Sequence, residues 1–151
     1  MDTGTDSAYR LAGPRTEADW AEYRAIRRAA DFDGGDDDPD ERAPGHFPLL
    51  LRQGPRAVGA IRVDDLDGER AAFRLVAVAP DAQGRGHGRV LMREAEDFAR
   101  HLGCRLAVVY ATPEAAGFYA ALGYAEDPFD EDYFGGVVMM AKPLHYAGHA
   151  P

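Results

Sequence analysis

Apolar residues fall along this chain at two spacings, and each spacing predicts its own kind of element. Tyr9-Arg10-Leu11-Ala12 reads as a short first strand. Thr16 is placed to cap a helix, with Glu17 and Asp19 in its first turn, where negative charge is favourable. Trp20, Tyr23 and Ile26 then follow at helical spacing, with Trp20 and Tyr23 as core anchors. Residues 31–45 are acidic, glycine-bearing and aperiodic, and predict a loop. Phe47–Leu51 is the next strand, and Arg56–Val63 another, with Val58, Ala60 and Arg62 on one face and Ala57, Ile61 and Val63 on the other. Asp67-Gly68 is a tight-turn signal that joins 56–64 to 70–79 as an antiparallel hairpin. Arg89–Arg100 has the pattern of a helix, stopped by Gly103. Cys104–Ala111 reads as a strand, and Thr112 as the cap of a further helix with Pro113 in its first turn. That helix ends at Gly123, and Gly136–Ala141 makes a last strand, ended by Pro143. With no repeat and no linker, residues 1–151 form one mixed α/β domain with a short flexible tail, 145–151.

One junction carries chemistry. The apolar strand Phe73–Ala79 runs into Gln83-Gly84-Arg85-Gly86-His87-Gly88, which opens the helix that follows. Glycines let the backbone close around a ligand, and a helix N-terminus offers unpaired N–H groups at the positive end of its dipole. This combination binds phosphate, so a phosphate-bearing cofactor is expected here. A Walker loop needs a lysine after its last glycine, but the sole lysine is Lys142. A dinucleotide fingerprint needs a third glycine where Arg89 or Leu91 stands. The spacing that fits is Gln/Arg-x-x-Gly-x-Gly/Ala, met by Gln83, Gly86 and Gly88.

Downstream stands Ala115-x-x-Phe118-Tyr119-x-x-x-Gly123-Tyr124. With both signatures in order, separated by one helix and one strand, the chain resembles the GNAT superfamily of acetyl-CoA-dependent N-acetyltransferases over roughly residues 56–125. The resemblance implies an α/β (α+β) fold, with a mixed, mostly antiparallel central sheet of about six to seven strands flanked by about four helices. It implies that backbone N–H groups of Gly84, Arg85, Gly86, His87, Gly88 and Arg89 hold the pyrophosphate of acetyl-CoA, beside Gln83. It also implies that the pantetheine arm lies along Val76, Ala77 and Val78, whose side chains are expected to face the core. Many relatives have Asn where Thr112 stands, so this contact to the cofactor arm is expected to be altered.

Acetyl transfer to an amine needs a held thioester, a neutral amine, a stabilised oxyanion and a proton for the leaving thiolate. A backbone N–H within Leu75–Val78 is the expected oxyanion donor. Tyr119 is the expected general acid, since a phenol and an alkyl thiol have similar pKa values; the competing reading is an aromatic that only packs. The base is open. Glu69, Asp64, Asp65 and His46 flank the hairpin but read as surface or turn residues, and deprotonation through water serves as well. His87 is expected to face solvent beside the phosphates. The alternative to an enzyme is a GNAT-like module that binds acyl-CoA without transferring it.

Composition narrows the partners. A net charge of −9 argues against nucleic-acid binding, and weakly favours a cationic or amine-bearing acceptor. Asp130, Glu131 and Asp132, with the loop near Asp36, are where such an acceptor would be attracted. The acidic run Asp33–Asp40 lacks calcium-loop spacing, and His145 and His149 read as solvated, so no metal is expected. Apolar runs are too short to cross a membrane, the N-terminus lacks a signal-peptide pattern, and a lone Cys104 suits a reducing cytoplasm. Arginine, alanine and glycine usage points to a GC-rich bacterial genome. A homodimer, common among relatives, is compatible with the sequence.

Overall fold

The computed structural model describes residues 9–30, 42–133 and 135–144. The acidic stretch 31–41, Phe134 and the tail with His145 and His149 lie outside the described residues. Strand β1 (Tyr9–Ala12) leads to helix α1 (Glu17–Ala29). The predicted cap is a full capping box: Thr16 Oγ1 accepts the Asp19 N–H at 3.0 Å, and Asp19 Oδ2 accepts the Thr16 N–H at 3.2 Å. Strands β2 (His46–Gln53), β3 (Arg56–Asp65) and β4 (Arg70–Val78) then form an antiparallel meander. After a 3₁₀ turn (Pro80–Ala82), helix α2 (His87–His101) crosses over to β5 (Leu106–Ala111), which runs parallel to β4. A short α3 (Ala116–Ala121), a two-residue β6 (Ala125–Glu126) and β7 (Val138–Pro143) follow. β7 inserts between β5 and β6, so the seven-stranded sheet has the order β1-β2-β3-β4-β5-β7-β6. The expected fold class is borne out, with three α-helices among the described residues.

Two helices cover opposite faces of the sheet. Arg52 reaches from one face of β2 to Asp19 and Glu22 of α1, at 2.7 and 2.6 Å. Phe47, on the other face, meets Phe98 of α2 edge-on at 5.3 Å. Both faces of β3 are therefore buried from Val58 to Asp64. Contact with α2 is close: a Cβ on Gly59 would stand 3.3 Å from Leu91 Cδ2 and 3.2 Å from the Ala77 carbonyl oxygen. Tyr23 is fully buried, and Trp20 packs edge-on against it at 5.7 Å, as core anchors should.

Local differences from expectation have local causes. α3 begins at Ala116, because Thr112–Ala115 is spent on a turn in which Thr112 Oγ1 accepts the Ala115 N–H at 3.2 Å. Cys104 precedes β5 instead of opening it; its N–H still bonds Ala99 of α2 at 3.0 Å, and its thiol is buried. β6 was too short to register as an apolar run.

The C-terminal half is tied together by a buried carboxylate. Glu96, mid-way along α2, accepts the Tyr124 hydroxyl at 2.8 Å and Lys142 Nζ at 2.9 Å. One side chain thus joins α2, the turn after α3 and β7. Replacing Lys142 with Met leaves Glu96 short of its charge partner, and should lower unfolding stability by about 2 kcal/mol. Adding Glu96→Gln should recover most of that loss; urea midpoints of the two single variants and the double variant measure the coupling.

Candidate active site

β4 and β5 stay together only briefly. Arg70–Phe73 pair with Leu106–Val109, and beyond Phe73 the two strands part. The cause lies within β4. Between the pairs Arg62–Arg74 and Ala60–Ala77, Ile61 alone on β3 opposes Leu75 and Val76 on β4, which is a β-bulge. Leu75 adopts φ 58°, a left-handed conformation that costs a non-glycine residue roughly 1–2 kcal/mol. Strain of this kind gathers where backbone groups must be re-aimed. Past the bulge, the side of β4 that faced β5 has no strand to pair with, and its backbone groups border a cleft. Two cavities, of about 610 and 580 Å³, occupy that cleft and share Val76, Ala115 and Tyr119.

The second cavity is the glycine loop's. Gly86 is the N-cap of α2 at φ +83°, and Gly84 has φ +80°; a Cβ on either would meet nothing within 4 Å. The loop therefore presents open space at a helix N-terminus, as a bound pyrophosphate requires. Gly88 is needed for packing, since a Cβ there would stand 3.3 Å from the Phe118 ring. Gln83, His87 and Arg89 also line this cavity, as do Val76, Ala77 and Val78; Arg85 does not. Val76 and Val78 are partly buried: they pack against the core, as expected, and also border this cavity. Gln83 Nε2 donates to the Val78 carbonyl at 3.3 Å and closes the loop onto the strand.

His87 does not face solvent. It is 4% exposed, and its Nδ1 lies 2.8 Å from the Tyr9 hydroxyl. Burial, then the charges of Arg85 and Arg56, hold its pKa below the ordinary histidine value, which favours the neutral ring. Its contribution is to tie β1 to the start of α2.

Tyr119 borders both cavities and is 8% exposed. Burial pushes its phenol from 10.0 up to about 12. Thr112 lines the first cavity and not the second, with its hydroxyl already accepting the Ala115 N–H. Tyr133 lines the first cavity as well, while Phe129 packs on Tyr110 at 5.0 Å.

Sequence reading missed the charge in this first cavity. Arg27, Arg62 and Arg74 line it. Arg62 and Arg74 stand directly opposite each other on β3 and β4, an arrangement that destabilises a sheet unless a counter-charge is present. Asp64 supplies it. Its Oδ1 accepts Arg62 Nε at 2.9 Å and its Oδ2 accepts Arg62 Nη2 at 3.0 Å, with Arg74 Nε 2.8 Å from Oδ2 and His46 Nδ1 2.9 Å from Oδ1. Asp64 is thus 3% exposed and fully committed, which corrects its reading as a surface residue and removes it as a free base. Glu69 and Asp65 sit at the hairpin turn as expected, outside both cavities. The overlooked signal was visible: Arg62, Asp64 and Arg74 interrupt two otherwise apolar strands at same-face positions. Among the described residues, no group of three His, Cys, Asp or Glu side chains forms a metal site.

Comparisons with known proteins agree with this geometry. A family model described as the acetyltransferase (GNAT) family matches residues 6–124. Glucosamine 6-phosphate N-acetyltransferase 1 of Oryza sativa subsp. japonica is 41% identical over 51 residues, 34% of this chain and 31% of that protein. The chloroplastic serotonin N-acetyltransferase 2 of the same plant is 42% identical over 53 residues, 35% of this chain and 26% of that protein. The matches therefore span about a third or less of these curated relatives. Among solved structures, the ribosomal-protein-S18-alanine N-acetyltransferase of Escherichia coli superposes with TM-score 0.73 at 20% identity, covering 93% of this chain and 96% of that one. The spermidine N-acetyltransferase of Vibrio cholerae, in complex with CoA and spermine, superposes with TM-score 0.73 at 17% identity, covering 91% and 96%. With the family model matched across the strand, the glycine loop and the Tyr119 helix together, the chain belongs to the GNAT acetyltransferase family.

Proposed function

We propose that this chain transfers an acetyl group from acetyl-CoA to an amine by direct attack in a ternary complex. The observation that carries the reading is the meeting of two cavities at Tyr119: one bordered by the glycine loop, the other by groups suited to an acceptor. The names of the relatives, several of them acetyltransferases of amines, point the same way.

In this reading the pyrophosphate rests on the N–H groups from Gly84 to Arg89, and the pantetheine arm runs along the unpaired side of Val76–Val78 as an added strand would. Gly86 takes a left-handed conformation that an alanine adopts only at a cost. The amine enters from the first cavity, its nitrogen attacks the thioester carbon, and an N–H of the Leu75–Val78 segment stabilises the oxyanion. The C–N bond forms, the C–S bond breaks, and Tyr119 gives its proton to the departing sulfur. The attacking nitrogen loses a proton to water, from which Tyr119 is reprotonated, so the products are an amide and a thiol. A phenol near 12 is a weaker acid than a free one, but it stays protonated throughout the working range. The positive charge that develops on the attacking nitrogen strengthens it as an acid at the moment of transfer.

The arginines bear on the missing base. In this reading Arg74, half-exposed on the acceptor cavity, favours the neutral form of an amine, which is the nucleophilic one. A dedicated carboxylate base is then unnecessary.

Tyr119→Phe should lower kcat by about 10²–10⁴ with the calorimetric Kd for acetyl-CoA unchanged. Normal turnover would remove Tyr119 from the mechanism, and tight acetyl-CoA binding without turnover of any amine would favour a binding module. Because the folded pKa is raised, the acid is present below it, so the alkaline fall in kcat should come near pH 12 and not near 10.0. Gly86→Ala should weaken acetyl-CoA binding by about tenfold, through backbone strain in the loop. Titration with ATP and NAD as controls tests whether the loop selects CoA.

A further inference from the structure

We infer that Tyr9 is a positioning residue for the cofactor: through His87, its hydroxyl fixes the first turn of α2, whose free N–H groups receive the pyrophosphate. The inference rests on the acetyltransferase reading and assigns to that site a residue from the first strand.

A helix start is ordinarily fixed by a capping side chain, which bonds the first free N–H groups. Those are the groups a phosphate needs, so a cap there would compete with the ligand. α2 has no such cap. Gly86 is its N-cap residue, and no side chain bonds the turn from that position. The neighbouring residues are permissive as well. Gly84 and Gly86 both stand at positive φ, and Gly88 follows in the first turn of the helix. Glycines leave the backbone much freedom that has to be lost when the loop is ordered. The loop therefore has to be held by groups that leave its N–H donors free.

Among the described residues, two side-chain hydrogen bonds do this. At the entrance Gln83 Nε2 donates to the Val78 carbonyl, at 3.3 Å. At the exit stands His87, the first residue of α2, which is buried and also borders the cofactor cavity. Its Nδ1 lies 2.8 Å from the Tyr9 hydroxyl, and the two rings meet edge-on at 5.7 Å. Tyr9 is itself fixed in the sheet, opposite Gln53 in the ladder between β1 and β2. The shorter of the two bonds thus ties the helix start to a strand, from behind the face that the ligand approaches. A site ordered in advance spares the ligand the cost of ordering it, and without the Tyr9 hydroxyl that cost falls on binding.

Titrations with two thioesters test this, acetyl-CoA by calorimetry and S-acetylpantetheine, which carries no phosphate, by chemical shift. Tyr9→Phe keeps the ring and removes the hydroxyl. It should weaken acetyl-CoA binding by about three- to tenfold and leave the affinity for S-acetylpantetheine as it was. His87→Leu should weaken acetyl-CoA binding by a similar factor. The double variant should lose no more than either single one, since both changes act through one bond. His87→Asn, whose amide can stand about where Nδ1 does, should keep most of the affinity. Unaltered acetyl-CoA affinity in Tyr9→Phe would overturn the inference. Equal losses for both thioesters would overturn it too, because they mark a general loosening of the fold, as would losses that multiply in the double variant. All three results leave the acetyltransferase reading intact. Absence of acetyl-CoA binding to the unaltered protein would instead sink that reading, and this one with it.

Discussion

The parting of β4 from β5 is the constraint on which everything at this site depends. Parallel strands in a continuous sheet pair along their whole length, and a ligand then finds no backbone to bond. Here pairing ceases after Phe73 and Val109, because the bulge at Leu75 and Val76 bends β4 away. The local cost is a leucine held at positive φ. What results is a strand with one side paired to β3 and the other open to a cleft, which is the geometry an extended cofactor arm needs. α2 begins where this open strand ends, so its N-terminus lies at the far end of the same cleft. The positions of Tyr119 and Thr112 follow as well, since the chain leaving β5 must turn across the gap to build α3.

Among the described residues, one carboxylate holds the two facing arginines of the cleft. Arg62, buried, and Arg74, half-buried, face each other across two central strands, and like charges so placed need a counter-charge between them. Asp64 makes the pair possible by accepting hydrogen bonds on both oxygens, with His46 closing the fourth side. The outcome is a pair of arginines held in place on one wall of the cleft, in a protein whose net charge is −9. Net charge sums the whole surface, while a substrate meets only the lining of its cavity.

Much of the site was legible without coordinates because it is made of contiguous residues. Gln83 to Arg89 is one loop, whose backbone does the binding in the proposed function, so residue type and spacing carry nearly all the information. The capping box of Thr16 and Asp19, the hairpin turn at Asp67-Gly68, and the stops at Gly103 and Gly123 were readable for the same reason. His87 was not. Its burial comes from Tyr9, 78 positions earlier, which pairs with it at 2.8 Å only once β1 has been laid beside β2.

By itself the amino-acid sequence determined the order of elements, the glycine loop at a helix start and the two signatures that identify the family, since each rests on neighbours along the chain. Tertiary structure alone decided the break in the sheet, the neutral burial of His87, the raised pKa of Tyr119 and the meeting of Arg27, Arg62 and Arg74 around one cavity. Those properties arise between residues far apart in sequence, through desolvation and charge pairing, and periodicity along a single chain holds no record of which strands will face each other.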